Sequence, residues 1–185
     1  GLDGASTADL VKMLEHANGW HVETARRLLL ERQDKTAVEP LRRLGTARAL
    51  WVLEGLGALT EADVATALKS TDGRLREQAV RMSESLPVTA SLERLLTPLA
   101  GDPEIRVRFQ TALTLGRHAQ SAAARAALVK IAQKDASNDW VRTAVMLSGA
   151  GAPVELLRQT QKLNPDFEKR LSRLIGVRQQ AGEIA

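Results

Sequence analysis

The stretch GDPEIRVRFQTA at residues 101–112 joins a polar turn, an aliphatic–arginine pair and a small residue, and this order is repeated along the chain. It returns as TDGRLREQA at 71–79, as SNDWVRTA at 137–144 and, more weakly, at 17–25. The arginines of the three strong copies are spaced by 32 and 34 residues. A repeating unit of about 30 residues that holds two helices is typical of an α-solenoid.

Each position of this repeat has a physical role. The small residue allows two helices to approach closely, the aliphatic residue packs against a neighbouring unit, and the polar turn caps the helix that follows. We therefore expect the small residues to be buried between helices; they are Ala25, Ala79, Ala112 and Ala144. The pattern resembles the HEAT repeat, and it predicts an all-α, HEAT-like α-solenoid of about six antiparallel helix pairs, with residues 1–185 as a single repeat domain.

The composition agrees with a helical protein. Leu and Ala contribute 28 residues each, and aromatic residues make up only 3% of the chain, which argues against a β-sandwich or barrel. The absence of Cys excludes a disulfide scaffold, a thiol nucleophile, an iron–sulfur site and covalent c-type haem within this segment. The net charge is +4, and the excess lies in residues 93–185, which hold 14 basic and 9 acidic side chains.

Apolar residues recur at helical spacing along nearly the whole chain, and short polar turns separate these stripes. Thr60 with Asp63 predicts a capping box, and the pairs Asp102-Pro103 and Asn164-Pro165 each predict a side-chain cap followed by proline at the first helical position. The glycines expected to end helices are Gly45, Gly57, Gly101 and Gly176. The predicted helices cover residues 7–17, 20–32, 36–44, 46–57, 61–70, 74–86, 89–100, 103–118, 121–135, 138–148, 153–162 and 165–175.

Four stretches carry a closer resemblance to a known family. They are residues 16–32, with His16-Ala17-Asn18-Gly19-Trp20; residues 49–59, with Trp51; residues 76–79; and residues 140–145, with Trp140-Val141-Arg142. Together, in this order, they resemble the HEAT-like region of bacterial multidomain proteins described as membrane-bound-dehydrogenase-like or as PVC-type haem-binding proteins. The resemblance covers roughly residues 10–150.

In that family a sugar-dehydrogenase-like β-propeller precedes the repeats, and a cytochrome c domain with a CxxCH motif follows them. The resemblance therefore implies a domain of a longer, exported or periplasmic protein, with c-type haem in a flanking domain and no cofactor in this segment. No CxxCH occurs in these 185 residues, so neither redox activity transfers to this chain. Residues 178–185 are typical of a further helix that is cut off, so the last repeat is expected to be truncated.

The aromatic and histidine side chains have a structural and a functional interpretation. Trp20, Trp51 and Trp140 are expected mainly to fill gaps between repeats, although Trp20 and Trp140, at junctions of turn and helix, are also candidate ligand platforms. His16, His21 and His118 lack the clustered Cys or carboxylate partners of a zinc site, and we expect them in capping or surface positions. No arrangement of nucleophile, base or phosphate-binding loop predicts catalysis, so the chain is not expected to be an enzyme.

The repeated arginines also allow two interpretations. Arg76, Arg108 and Arg142 could line one surface and present guanidinium groups to carboxylate or phosphate. The favoured interpretation is a structural ladder in which each pairs with a turn carboxylate of its own or the next repeat. Together with Trp20 and Trp140, these three arginines are the candidate binding residues.

The sequence supports two hypotheses for the function. The leading one is a non-catalytic scaffold that binds protein, chiefly flanking domains of its own chain, or that spaces them; no membrane span is expected. The alternative is a nucleic-acid-binding module that uses the basic C-terminal half, with Trp140, Arg125, Arg142 and Arg158 as its contacts.

Overall fold

The computed structural model describes residues 1–160 and 164–178, and all regular structure within these residues is helical. The twelve α-helices of this part of the chain are α1 Thr7–Met13, α2 Gly19–Arg32, α3 Val38–Leu44, α4 Ala47–Gly55, α5 Glu61–Ala67, α6 Gly73–Met82, α7 Ala90–Leu96, α8 Ile105–Leu115, α9 Ala122–Lys134, α10 Asp139–Ser148, α11 Pro153–Thr160 and α12 Pro165–Arg178. The prediction of an all-α protein is thus confirmed. None of these helices is both long and apolar enough to cross a membrane.

Every predicted helix is present, and the differences lie at the ends. The α-helices of three predicted spans stop early because the last turn tightens to a 3₁₀ turn, as at Ser83–Ser85, Thr97–Gly101 and Gly116–His118. Residues 161–162 of the predicted span 153–162 lie outside the described residues. The predicted start of a further helix after Arg178 lies outside them as well.

Side-chain caps set most of the helix starts. The Thr60 hydroxyl accepts from the Asp63 amide while the Asp63 carboxylate accepts from the Thr60 amide, so the predicted capping box is confirmed. Asn164 accepts from the amides of Asp166 and Phe167, and Pro165 is the first residue of α12, as expected. The other residues whose side chains cap the helix that follows are Ser6, Asn18, Thr46, Asp72, Thr89, Ser121 and Asn138.

Two of the residues predicted to mark a helix end do not do so. Asp102 accepts from the Glu104 amide at 2.8 Å, but α8 begins only at Ile105, so Pro103 precedes the helix instead of opening it. The carbonyls of Asp102 and Pro103 are instead taken by the guanidinium group of Arg108. Gly176 lies inside α12 and does not end it, whereas Gly45 has the left-handed conformation (φ 62°) expected after a helix.

The helices form two compact units, which divide between Leu86 and Pro87. In the first unit α1 packs on α2, α3 on α4 and α5 on α6; α2 also contacts α4, and α4 contacts α6. Leu10, Leu29, Leu41 and Leu53 are among the fully buried residues of this unit. How the units join into one domain over residues 1–185 stays a prediction.

In the second unit, alternate helices along the chain also pack side by side. Helix α9 packs against both α8 and α10, α8 packs extensively on α10, α9 contacts α11, and α11 packs on α12. The Ser148 hydroxyl at the end of α10 donates to the Leu113 carbonyl near the end of α8 at 3.3 Å. A Cβ added at Gly116 would lie 2.9 Å from that hydroxyl, so the carboxyl ends of α8 and α10 approach closely enough to require glycine.

The small residues of the repeat are buried as the sequence predicts. Ala25, Ala79 and Ala112 have no exposed surface, and Ala144 has 1%. Each lies in the second helix of a packed pair, where a larger side chain would push the helices apart. The repeat pattern in the sequence therefore identifies the buried small residues of both units correctly.

Replacement of Ala112 by Leu is expected to overpack this interface and to lower the free energy of unfolding by about 1–3 kcal/mol. Urea unfolding followed by circular dichroism measures the change. The control is Ala126→Leu on the exposed side of α9, which should change stability by less than about 0.5 kcal/mol. Equal midpoints for both variants would show that residue 112 is not in a packed interface.

Candidate interaction surface

A recurring arginine holds the turn that precedes each of four helices. In every case it is the fourth residue of its helix, and one guanidinium nitrogen donates to a carbonyl six residues earlier in the chain. The contacts are Arg76 to Ser70 (2.9 Å), Arg108 to Asp102 (2.7 Å), Arg125 to Ala119 (3.1 Å) and Arg142 to Ala136. The first three also donate to the next carbonyl. We call this contact the arginine clamp.

Arg108 makes the most extensive set of contacts. Its Nε and Nη2 donate to the two Asp135 carboxylate oxygens at 2.7 and 2.5 Å, and both residues are more than nine-tenths buried. The hydrogen bonds that Arg108 donates to the Asp135 carboxylate raise the pKa of Arg108 in spite of the burial that lowers it. Lys134 donates to the carbonyls of Gly101 and Asp102, so the amino ends of α8 and α10 are tied together and the two helices run parallel.

The candidate arginines are thus engaged inside the protein. Arg76, Arg108 and Arg142 are each more than 90% buried, and their guanidinium groups serve the turns rather than an open surface. Both ion pairs fit the ladder interpretation, since Arg142 pairs with Asp139 of its own repeat and Arg108 pairs with Asp135 in the turn of the next repeat. Asp72, the carboxylate of the turn before Arg76, caps α6 by accepting from the Arg74 amide.

Arg125 is a clamp residue that the repeat analysis missed. It follows Ser121, whose side chain caps α9, by four residues. The other clamps stand at the same distance from their N-cap residues, and the N-cap side chains of α6 and α10 also cap their helices, whereas that of α8 does not. An arginine four residues after a capping side chain is therefore the signal that could have found Arg125. The aliphatic residue that precedes the other arginines is replaced here by Ala124.

The tryptophans differ in their surroundings. Trp51 is half-buried against the core of the first unit, its indole nitrogen donates to Gln78 at 3.1 Å, and Arg81 lies 5.7 Å from the ring centre, in agreement with a structural role. Trp20 and Trp140 are 62% and 76% exposed, so the expectation that they fill gaps between repeats is wrong. Their positions at the first turn of α2 and α10 point the rings into solvent.

Trp140 belongs to a larger apolar surface. Leu147 is 67% exposed and lies seven residues further along α10, which places it about 10 Å away on the same face of the helix. On the parallel helix α8, Leu113 occupies the position of Leu147, Phe109 lies one turn before it, and both are partly exposed. We call these four residues the Trp140 face; Leu147, Phe109 and Leu113 had not been predicted as part of it.

The five candidate residues are divided between the two units. Trp20 and Arg76 lie in the first unit, and Arg108, Trp140 and Arg142 in the second. Within the second unit, the two arginines support the turns at the amino ends of α8 and α10, next to the exposed Trp140. The surface candidates that are accessible are therefore the two exposed tryptophans.

The histidines serve local structure. His16 Nδ1 accepts from the Asn18 amide at 3.0 Å, and its ring contacts that of His21. His118, expected at the surface, is buried, with Nδ1 3.6 Å from the Glu93 carboxylate; the Ser121 hydroxyl donates to the other oxygen of Glu93 at 2.6 Å. No group of three potential metal ligands occurs within residues 1–160 and 164–178.

A cleft of about 650 Å³ opens in the first unit between α3, α4 and α5. Leu41, Leu50 and Leu53 line its apolar wall, and an ion pair between Arg42 and Asp63 stands at its edge. Burial raises the pKa of Asp63, but hydrogen bonds from Arg42 and Thr60 outweigh it and hold the pKa below 3.8. Since both charged groups are satisfied by each other, the cleft offers no charged group dedicated to a ligand.

No protein-family model and no curated protein matches this chain.

Arg108→Ala is expected to lower the free energy of unfolding more than Arg142→Ala does. Loss of Arg108 leaves Asp135 buried without its cation and should lower stability by about 3–5 kcal/mol. Loss of Arg142 leaves Asp139, whose side chain is 75% exposed and stays hydrated, so about 1 kcal/mol is expected. Denaturant unfolding of both variants measures the difference, and the double variant Arg108→Ala/Asp135→Ala should recover part of the loss. Equal costs for the two single variants would contradict this account.

Asp63→Asn should lower stability by about 1 kcal/mol near neutral pH because it weakens a cap and an ion pair. The pKa of Asp63 is lower in the folded than in the unfolded chain, so its contribution is fully present above pH 3.8 and is lost as pH falls through the folded value. Thermal melts across this range should show the difference from wild type shrinking in acid. Glu15→Gln, at an exposed position, is the control and should give parallel curves.

Proposed function

We propose that the chain is a HEAT-like α-solenoid of about six helix pairs that acts as a non-catalytic, protein-binding scaffold. In this proposal it is one domain of a longer bacterial protein of the haem-binding, dehydrogenase-like kind, exported or periplasmic, and its partners are chiefly flanking domains. The cofactor of the parent protein, c-type haem, would belong to one of those domains. The resemblance in the sequence supports the family, and the packed helix pairs within each unit support the repeat architecture.

The observation that carries the binding role is the exposure of large apolar side chains on a well-packed helix. Trp140 and Leu147 are 76% and 67% exposed on one face of α10, while Val141, Ala144 and Val145 on the adjoining face are buried. Exposed aromatic side chains next to aliphatic ones are common anchors of protein interfaces. A helix that only spaced its neighbours would have no physical need of them.

The nucleic-acid alternative loses two of its four proposed contacts. Arg125 and Arg142 donate to backbone carbonyls of their own turns, and Arg142 also pairs with Asp139. Of the four residues in that hypothesis, Trp140 and Arg158 are exposed. A binding track for phosphates needs a row of accessible cations beside the stacking platform, so protein binding is the better-supported function.

Hydroxyl-radical footprinting tests the scaffold function. The chain is expressed alone and within the longer reading frame that encodes it, and oxidation of Trp20 and Trp140 is compared by mass spectrometry. If flanking domains dock on this domain, oxidation of at least one of the two should fall several-fold in the longer protein, while half-buried Trp51 stays unchanged as an internal control. Equal oxidation in both proteins would argue against docking by flanking domains.

An oligonucleotide titration tests the alternative. Duplex and single-stranded DNA near physiological salt should bind only weakly and without sequence preference, with an affinity that falls as salt rises by a slope of about −0.9 per phosphate contact on duplex DNA. Submicromolar binding that Arg142→Ala abolishes, at an unchanged melting temperature, would overturn the scaffold proposal.

A further inference from the structure

We infer that the Trp140 face binds an acidic amphipathic helix, supplied by a partner protein or a flanking domain. This inference rests on the proposed protein-binding function and names the chemistry of the partner. It follows from three features of the second unit: the spacing of its exposed apolar side chains, the parallel helices beneath them and the balance of charge around them.

The spacing suits a helical ligand. Trp140 and Leu147 are two helical turns apart, about 10 Å along α10, which matches the separation of apolar side chains at positions i and i+7 of another helix. Phe109 and Leu113 on α8 extend the apolar surface sideways, since α8 and α10 run parallel with their amino ends joined by Arg108 and Asp135. The result is a face two helices wide, on which a third helix can lie.

The support beneath the face is rigid. The clamps of Arg108 and Arg142 and the pair of Arg108 with Asp135 hold the turns before α8 and α10, and Gly116 allows close contact of the two helices at the other end. A platform that is already ordered loses little conformational entropy when a ligand binds.

The charge around the face selects the partner. Among the described residues of the second unit, nine exposed side chains are basic and three are acidic; in the first unit the numbers are ten and eight. Exposed Arg106 occupies on α8 the position of Trp140 on α10, and exposed Arg117 follows the carboxyl end of α8. Asp139, next to Trp140, is paired with Arg142. A helix with acidic side chains beside its apolar stripe is therefore complementary to this surface.

Nucleic acid is the less favoured occupant of the same surface. Single-stranded nucleic acid is held by successive aromatic platforms, and Trp140 is the only strongly exposed aromatic side chain among the described residues of the second unit. Leu147 offers no ring on which a base could stack, but together with Trp140 it forms an apolar surface that suits aliphatic side chains. The experiment includes an oligonucleotide so that this alternative is tested directly.

The test uses the full chain and three probes labelled with a fluorophore: an amphipathic helical peptide of leucine and glutamate, the same peptide with lysine in place of glutamate, and an oligothymidylate. Fluorescence anisotropy near physiological salt should show binding of the glutamate peptide at least about tenfold tighter than of the lysine peptide. Trp140→Ala and Arg106→Glu should each lower the affinity for the glutamate peptide by about tenfold or more.

Trp20→Ala is the matched control because it removes a largely exposed tryptophan from the unit in which exposed charges are nearly balanced; it should leave the affinity unchanged. Circular dichroism melts verify that all three variants fold as the wild type does. Binding that survives Trp140→Ala, equal binding of both peptides, or no peptide binding would each overturn the inference. Preferential binding of the oligothymidylate that is abolished by Trp140→Ala would overturn both the inference and the proposed protein-binding function. Peptide binding at another part of the chain would overturn the inference alone and leave the protein-binding function standing.

Discussion

The contact on which the second unit depends is the hydrogen-bonded ion pair between Arg108 and Asp135. A guanidinium group in the protein interior is tolerated only when its donors are satisfied, and here they reach a carboxylate and two backbone carbonyls. Since Asp135 precedes α10 and the carbonyls precede α8, one side chain sets the distance and direction of two helices at their amino ends. Breaking this ion pair would leave an unpaired charge in the interior, and this cost keeps α8 and α10 in place.

The same device appears at Arg76, Arg125 and Arg142, where the arginine serves its own turn. The carbonyls of a turn before a helix have no partner in the helical ladder, and an arginine one turn into the helix reaches back to them. This use of arginine explains how a chain with an excess of positive charge in its second half need not be a phosphate-binding protein. Part of that charge stabilises turns, and the rest remains at the surface to attract acidic groups.

The division between buried and exposed cations shapes the proposed function. If the repeated arginines were accessible, they would form a row suited to phosphate; buried, they act as a frame for the apolar side chains of α8 and α10. The exposed Trp140 and Leu147 then stand on a rigid support with Arg106 beside them. This combination of apolar anchors and surrounding cations is the chemistry of a protein interface with an acidic partner.

Sequence alone determined the helices and the buried positions of the repeat. Periodicity, caps such as Thr60 with Asp63, and small residues such as Ala112 are local signals, because a helix satisfies its own backbone and its caps lie within one turn. Tertiary structure decided the rest: that Arg108 selects Asp135 rather than its neighbour Asp102, and that Trp140 faces solvent while Trp51 packs against the core. The partner of a long side chain and the exposure of a ring depend on which helices lie beside them, and residues distant in the sequence supply those neighbours.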